Sequence, residues 1–164
     1  MTEQQISAHR TINATAERVF DLLADPSTHR AIDGTGWVLD PLDPNPLTEQ
    51  GQRFVMNMYA EQGPTGGAYR MTNTVIELDR PRAIAWQPEV YADDKPEGMD
   101  DALRGWFWRY DLAPAANGEG TEVTLGYDWS RVPEHAAKII PFPPFPDGHL
   151  ENSLANLARL AERS

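Results

Sequence analysis

The stretch from residue 147 to residue 163 constrains the fold more than any other part of this sequence. Apolar residues recur there at i, i+4, i+7 and i+11, namely Leu150, Leu154, Leu157 and Ala161. This spacing places them on one stripe of a helix. Asp147 follows Pro146 and can accept the free N–H groups of a first helical turn. A helix of about 17 residues would span roughly 25 Å, enough to cross a small domain. The alternative is a surface helix docked at one edge.

Most of the sequence before this helix alternates apolar and polar residues with a period of two, which indicates β-strands. The alternation predicts strands over 5–13, 53–59, 69–78, 83–87, 105–112 and 122–130. A further short strand is predicted over 37–39, after Gly34 and Gly36. Two short helices are predicted after the first strand. One begins after Asn13 or Thr15 and ends near Asp25, because Pro26 disfavours helical angles in the residue before it; the other covers about 27–31. A further short helix is predicted over 133–140.

The connections between the predicted strands are too short for parallel crossovers, so we expect an antiparallel sheet. Something must cover one face of that sheet, and the C-terminal helix is the best candidate. A strongly twisted antiparallel sheet can curl around one helix and leave a cavity between its concave face and the helix.

Composition narrows the class of protein. The chain has 164 residues, no cysteine and a formal net charge of -11. This length suits a single domain over 1–164. The absence of cysteine excludes disulfides and cysteine-type zinc sites. The acidic balance argues against nucleic acid and anionic membranes as partners, because phosphate contacts need Lys and Arg. No apolar run approaches a membrane span, and the first ten residues lack a secretion-signal pattern. We expect a soluble, cytoplasmic protein.

The sequence resembles a known superfamily near its beginning. Residues 10–26 read RTINATAERVFDLLADP and are similar to the opening strand and the Ala-Pro-x-Glu-x-Val-Phe helix start of the START/Bet v 1-like (SRPBCC) superfamily, whose helix-grip proteins include polyketide cyclase/dehydrase-like members. Thr15 stands where the family usually has proline. Later similarities are residues 51–54, Trp86, residues 121–124 and the leucine-rich end.

This resemblance implies an α+β helix-grip fold over nearly the whole chain. A curved antiparallel β-sheet would wrap around the long C-terminal helix, with two short helices after the first strand. The superfamily contains binders, carriers, cyclases and regulators, so the resemblance does not fix an activity.

The resemblance also implies which phase of the alternating strands faces the helix. That phase and the helix supply the predicted ligand-binding residues: Phe54, Met56, Met58, Tyr69, Met71, Asn73, Trp86, Trp106, Trp108, Tyr110, Tyr127, Trp129 and Leu154. Such a wall suits an apolar or aromatic ligand, because methionines adapt their shape and Trp and Tyr combine a ring face with a polar group. We expect a cavity on the order of a few hundred Å³. The alternative is a solid core that the tryptophans fill.

Groups for catalysis are scarce. There is no cysteine nucleophile, Gly-x-Ser-x-Gly elbow or phosphate loop. General acid–base catalysis usually needs a group that titrates near neutrality, whereas unshifted tyrosine titrates near 10. The catalytic candidates are therefore His149, which can reach the cavity mouth, with Tyr110 and Asn73. His29 and Asp33, four residues apart, are interpreted as a surface or capping contact. The four histidines lack metal-ligand spacing, so we expect no metal, and no cofactor is predicted.

Three functions remain open. The first is binding of a hydrophobic small molecule, aromatic or lipid-like. The second is a polyketide cyclase/aromatase-like enzyme that uses the same cavity. The third is a protein-interaction module, such as a toxin or chaperone regulator, on the same fold. We favour binding, because no inward-facing strand residue titrates near neutral pH.

Overall fold

The computed structural model describes residues 4–61, 66–95, 97, 104–138 and 142–163. Within these residues the chain forms seven strands: β1 Gln5–Ile12, β2 Val38–Pro41, β3 Arg53–Tyr59, β4 Ala68–Asp79, β5 Ala83–Val90, β6 Phe107–Pro114 and β7 Thr121–Asp128. Its α-helices are α1 Ala16–Leu23, α2 His29–Ile32, α3 Glu134–Ala137 and α4 His149–Ala161. Two 3-10 turns cover Pro26–Thr28 and Ala92–Asp94.

The strands form one antiparallel sheet in the order β1-β7-β6-β5-β4-β3-β2. The curved sheet with its C-terminal helix confirms the expected α+β helix-grip fold. The first and last strands are neighbours, and Gln5 at the beginning of β1 pairs with Asp128 at the end of β7. In β4 the register shifts between Val75 and Glu77, so the alternation of faces changes at that point.

The entry from β1 into the helices follows the capping residues. The Thr15 side chain accepts a hydrogen bond from the Arg18 N–H at 3.1 Å and caps α1. Asp25 then caps the 3-10 turn by accepting from the Ser27 N–H at 3.0 Å. The turn leads directly into α2, which is only four residues long.

Helix α4 is a core element, because its apolar stripe is buried: Leu150, Leu154, Leu157 and Ala161 are at most 5% exposed. Its start differs from the prediction. The helix begins at His149, and the residue before it, Gly148, has φ 90° and supplies no side-chain cap. The predicted cap by Asp147 is therefore wrong, because the left-handed glycine places that aspartate outside the first turn. No helix among the described residues has the length and apolar composition to cross a membrane.

Candidate functional site

A small cavity lies where α2 and α4 meet strands β6 and β7. Its volume is about 80 Å³, and it is lined by His29, Ile32, Asp33, Trp108, Tyr110, Leu125, His149 and Ser153. Helix α2 and the loop after it supply one wall, α4 the second, and the sheet the third. The cavity therefore lies between the sheet and the C-terminal helix, as the helix-grip fold implies.

Hydrogen bonds hold the end of α2 and the loop after it against α4. The Gly34 N–H donates to Ser153 Oγ at 2.9 Å, and Asn156 Nδ2 donates to the Ile32 carbonyl at 3.1 Å. Glycine is needed at position 34, because a Cβ there would lie 2.5 Å from the His149 carbonyl oxygen. This close approach positions the neighbouring Asp33 side chain beside the first turn of α4.

The Asp33 carboxylate is buried, with 7% of its side chain exposed. Oδ1 accepts from the Thr35 N–H at 3.2 Å, and Oδ2 accepts from the Val38 N–H at 3.0 Å. The Thr35 hydroxyl donates to the same carboxylate, at 2.8 Å from Oδ2. The interpretation of His29 and Asp33 as a surface contact is wrong, because both side chains are buried and line the cavity. The alternative of a capping contact is confirmed for the backbone, since Asp33 is the C-cap residue of α2 and its N–H donates to the His29 carbonyl at 2.9 Å.

His149 faces Asp33 across the cavity, with 3.8 Å between its Nε2 and Oδ1 of the aspartate. That distance is too long for a direct hydrogen bond. Its Nδ1 lies 3.5 Å from Ser153 Oγ, and its ring makes edge contacts with Trp108 and Phe145. Burial lowers the pKa of His149 below the ordinary 6.5, although the charges of Asp33 and Glu151 partly oppose this. The imidazole is therefore neutral at pH 7.

His29 is the second buried histidine of the cavity. Its Nε2 lies 2.8 Å from the Leu23 carbonyl oxygen; since a carbonyl only accepts, Nε2 carries the proton and Nδ1 keeps its lone pair. The ring stacks on Trp86 at 5.0 Å between centroids. Burial lowers the pKa of His29, against smaller raising effects of the Leu23 hydrogen bond and of Asp25 and Asp33. This imidazole is also neutral at pH 7.

The tyrosines near the cavity stay protonated. Burial, followed by the charge of Asp33, raises the pKa of Tyr69 to about 12, and the same two causes raise the pKa of Tyr110 further. Tyr110 lines the cavity and can offer its hydroxyl as a hydrogen-bond donor at neutral pH.

An aromatic cluster adjoins the cavity. Its members are Trp106, Trp108, Tyr127, Trp129, Phe142 and Phe145. Trp108 contacts Tyr127 at 4.5 Å and Phe145 at 5.5 Å between centroids. Because these rings pack against one another, they fill space on the concave side, and the cavity is smaller than the few hundred Å³ expected. The buried Tyr127 hydroxyl has no hydrogen-bond partner among the described residues.

The structure brings only some of the predicted site residues to the cavity. Trp108, Tyr110 and His149 line it. Asn73 does not; its Nδ2 lies 3.4 Å from the Phe54 carbonyl oxygen. The other predicted binding residues lie in the core, partly buried beside it, or in the aromatic cluster: Phe54, Met56, Met58, Tyr69, Met71, Trp86, Trp106, Tyr127, Trp129 and Leu154. Their role in ligand binding stays a prediction.

Sequence reasoning missed the roles of Ile32, Asp33, His29 and Ser153. A sequence signal was available for Asp33, since an aspartate followed by glycine at the end of a short helix often marks a tight turn. Ser153 lies on the same face of α4 as His149, four residues away. The leucine spacing of α4 carries no signal for this serine.

Solved structures share this fold. A protein of Chromobacterium violaceum is 21% identical, with 98% of this chain and 99% of that chain covered at a TM-score of 0.67. A protein of Rhodobacter sphaeroides is 15% identical, with 96% and 91% covered at 0.63. An AHSA1-like protein of Aeromonas hydrophila is 18% identical, with 96% and 92% covered at 0.59. At these identities the likeness establishes the fold alone. The comparison with curated proteins found no match.

The family comparison covers nearly the whole chain. The model of the family described as polyketide cyclase/dehydrase and lipid transport matches residues 3–162. This match confirms the resemblance to the START/Bet v 1-like superfamily. The chain therefore belongs to the polyketide cyclase/dehydrase and lipid transport family.

Proposed function

We propose that this protein binds a hydrophobic small molecule, with an aromatic or lipid-like body, in the cavity between the sheet and α4. The observation that carries the proposal is the division of the cavity wall. Ile32, Trp108 and Leu125 supply apolar surface, while Asp33, His149 and Ser153 group their polar atoms at the contact of α2 with α4. A mostly apolar cavity with a few grouped polar atoms is typical of small-molecule sites. The family description, which includes lipid transport, supports the same function.

The size of the cavity determines how a ligand enters. A volume of about 80 Å³ is well below the roughly 300–1,000 Å³ of sites for drug-sized molecules. A larger ligand therefore displaces a side chain, and Phe145 is the best candidate. Its ring is only partly buried and packs against Trp108, Tyr127 and His149. Outward movement of Phe145 would extend the cavity toward Tyr127, whose unpartnered hydroxyl could then donate to the ligand.

Trp108→Ala tests this function. We expect the variant to bind phenethyl alcohol, a small neutral aromatic probe, at least about tenfold more weakly, because the indole supplies a large part of the apolar wall. Isothermal titration calorimetry measures the affinity, and quenching of tryptophan emission in the unchanged protein reports binding independently.

The matched control is Tyr59→Ala, which removes an aromatic ring that is 50% exposed and does not line the cavity. Its affinity should equal that of the unchanged protein. Equal affinities of the Trp108→Ala and Tyr59→Ala variants, with both folded in urea melts, would refute binding in this cavity.

The placement of His149 favours a second candidate, an enzyme of the polyketide cyclase/aromatase kind. Its neutral imidazole can accept a proton from a substrate, and the nearby Asp33 carboxylate would stabilise the imidazolium that forms. Tyr110 would donate a hydrogen bond to a substrate carbonyl as negative charge develops on its oxygen.

For this candidate, His149→Gln should lower the turnover of a polyketide-like chain by about a hundredfold or more, because it removes the proton acceptor. Substrate affinity should stay within about threefold, since the apolar wall is unchanged. Product formation is followed by mass spectrometry, with His9→Gln on the exposed side of β1 as the control. Absence of conversion by the unchanged protein, or full turnover in His149→Gln, would exclude this enzymatic function.

A further inference from the structure

The negative charge of Asp33 has no positively charged partner among the described residues that line the cavity. Among the described residues that line it, Asp33 alone carries a formal charge at neutral pH. His29 and His149 are neutral because burial lowers the pKa of each, and burial raises the pKa of Tyr110, so its phenol is neutral as well. A buried charge without a charged partner is costly. Among the residues that the structure describes, the cavity thus holds one negative charge and no cation.

Hydrogen bonds hold the Asp33 carboxylate in this position. Two backbone N–H groups and one hydroxyl, from Thr35 and Val38, donate to its oxygens. They fix its orientation and stabilise its negative charge. They do not neutralise that charge. Oδ1 also faces His149 at 3.8 Å, a gap that leaves the imidazole and the carboxylate without a direct hydrogen bond.

We propose that the ligand of this cavity carries a protonated amine that binds the carboxylate of Asp33, while its apolar body lies against Trp108, Tyr110 and Leu125. This inference rests on the proposed binding function and adds the chemical class of the ligand. The ammonium group donates to Oδ1 of the carboxylate in a charge-assisted hydrogen bond, and the lining residues Trp108, Tyr110 and Leu125 contact the apolar body.

The charge of the whole chain favours the same class. A formal net charge of -11 raises the local concentration of cations near the protein and lowers that of anions. A fatty acid or another apolar carboxylate would be repelled by this net negative charge and by the Asp33 carboxylate. Apolar amines and apolar acids fit an aromatic wall equally well by shape, and the charge of this site favours the amines.

The test compares three probes with similar apolar bodies, which are phenethylamine, phenethyl alcohol and hydrocinnamate, by isothermal titration calorimetry at pH 7.5. We expect the amine to bind at least about tenfold more tightly than the alcohol, the usual scale of a charge-assisted hydrogen bond. We expect the acid to bind most weakly. Alcohol affinity equal to that of the amine would overturn the inference and leave the binding function standing. No binding of any probe would overturn both.

Asp33→Asn assigns the preference to this carboxylate, because it keeps the shape and removes the charge. Amine and alcohol should then bind within about twofold of each other. Asp40→Asn is the matched control, since it removes one negative charge from a side chain that is 71% exposed and paired with Arg30; it should keep the amine preference. An amine preference that survives in Asp33→Asn would refute the assignment.

A second measurement needs no variant and keeps the inference testable if Asp33→Asn does not fold. The backbone N–H groups of Thr35 and Val38 bind the carboxylate, so a cation at Asp33 changes their environment. In nitrogen–proton correlation spectra of the unchanged protein, phenethylamine should shift these two amide signals at least about threefold more than phenethyl alcohol at equal occupancy. Equal shifts would overturn the inference.

Discussion

Leu157→Ala should lower the free energy of unfolding by about 2–5 kcal/mol. Leu157 is fully buried in the core cluster, on the stripe of α4 that covers the sheet. Truncation removes apolar contacts and leaves a void, and α4 cannot move inward to fill it because Ser153 and Asn156 tie the helix to the α2 segment. Urea melts give this free energy, provided that the denaturant slope is unchanged.

The control for this prediction is Leu42→Ala, the same truncation at a leucine that is 51% exposed. It should change the free energy of unfolding by no more than about 0.5 kcal/mol. A loss below that limit in Leu157→Ala would contradict the view that α4 is the core element of the fold.

Local periodicity predicted much of the fold. The period of two in residues 53–59 sets the bounds of β3 correctly, and the stripe from Leu150 to Ala161 identifies α4. Both patterns work because one side of each element faces the core: Phe54 and Met56 of β3 are buried and Met58 is half-buried, while the stripe of α4 is buried throughout. Where a single residue changes the geometry, the pattern fails. Gly148, with φ 90°, starts α4 later than Asp147 would.

The polar end of the cavity could not be predicted, because it depends on contacts between distant parts of the chain. The Gly34 N–H meets Ser153 more than a hundred residues further along, and this contact brings Asp33 to His149. Neither residue forms part of an alternating strand, so the assignment of inward and outward faces did not consider Asp33. The backbone of the loop, and not the pattern of the strands, decides its position.

The size of the cavity also could not be predicted from the sequence. The alternation correctly indicated that Trp108 and Tyr127 share a face, and in the structure their rings contact each other. Whether such rings line a space or fill it depends on their rotamers and on Phe145, which comes from a separate proline-rich segment and packs on both. Periodicity carries no information on either.

Acidification from pH 7.5 to 5.5 should destabilise this protein, although most carboxylates stay ionised over this pH range. Burial lowers the folded-state pKa of His29 and His149 below 6.5, so the unfolded chain binds protons more readily than the native one. Stability is then fully present above the unfolded-state pKa and is lost as pH falls below about 6.5, toward the lowered folded values. Each histidine contributes a slope of at most about 1.4 kcal/mol per pH unit. Urea melts at pH 7.5, 6.5 and 5.5 measure the loss.

His29→Gln isolates one of the two contributions. Glutamine can still donate to the Leu23 carbonyl but does not titrate, so the loss of stability between pH 6.5 and 5.5 should become smaller than in the unchanged protein. The stacking on Trp86 is also lost, which lowers stability at every pH and does not alter the slope. His9→Gln, on the exposed part of β1, is the control for changing a histidine outside the cavity. A pH slope in His29→Gln as steep as in the unchanged protein would show that this imidazole is not held neutral by burial.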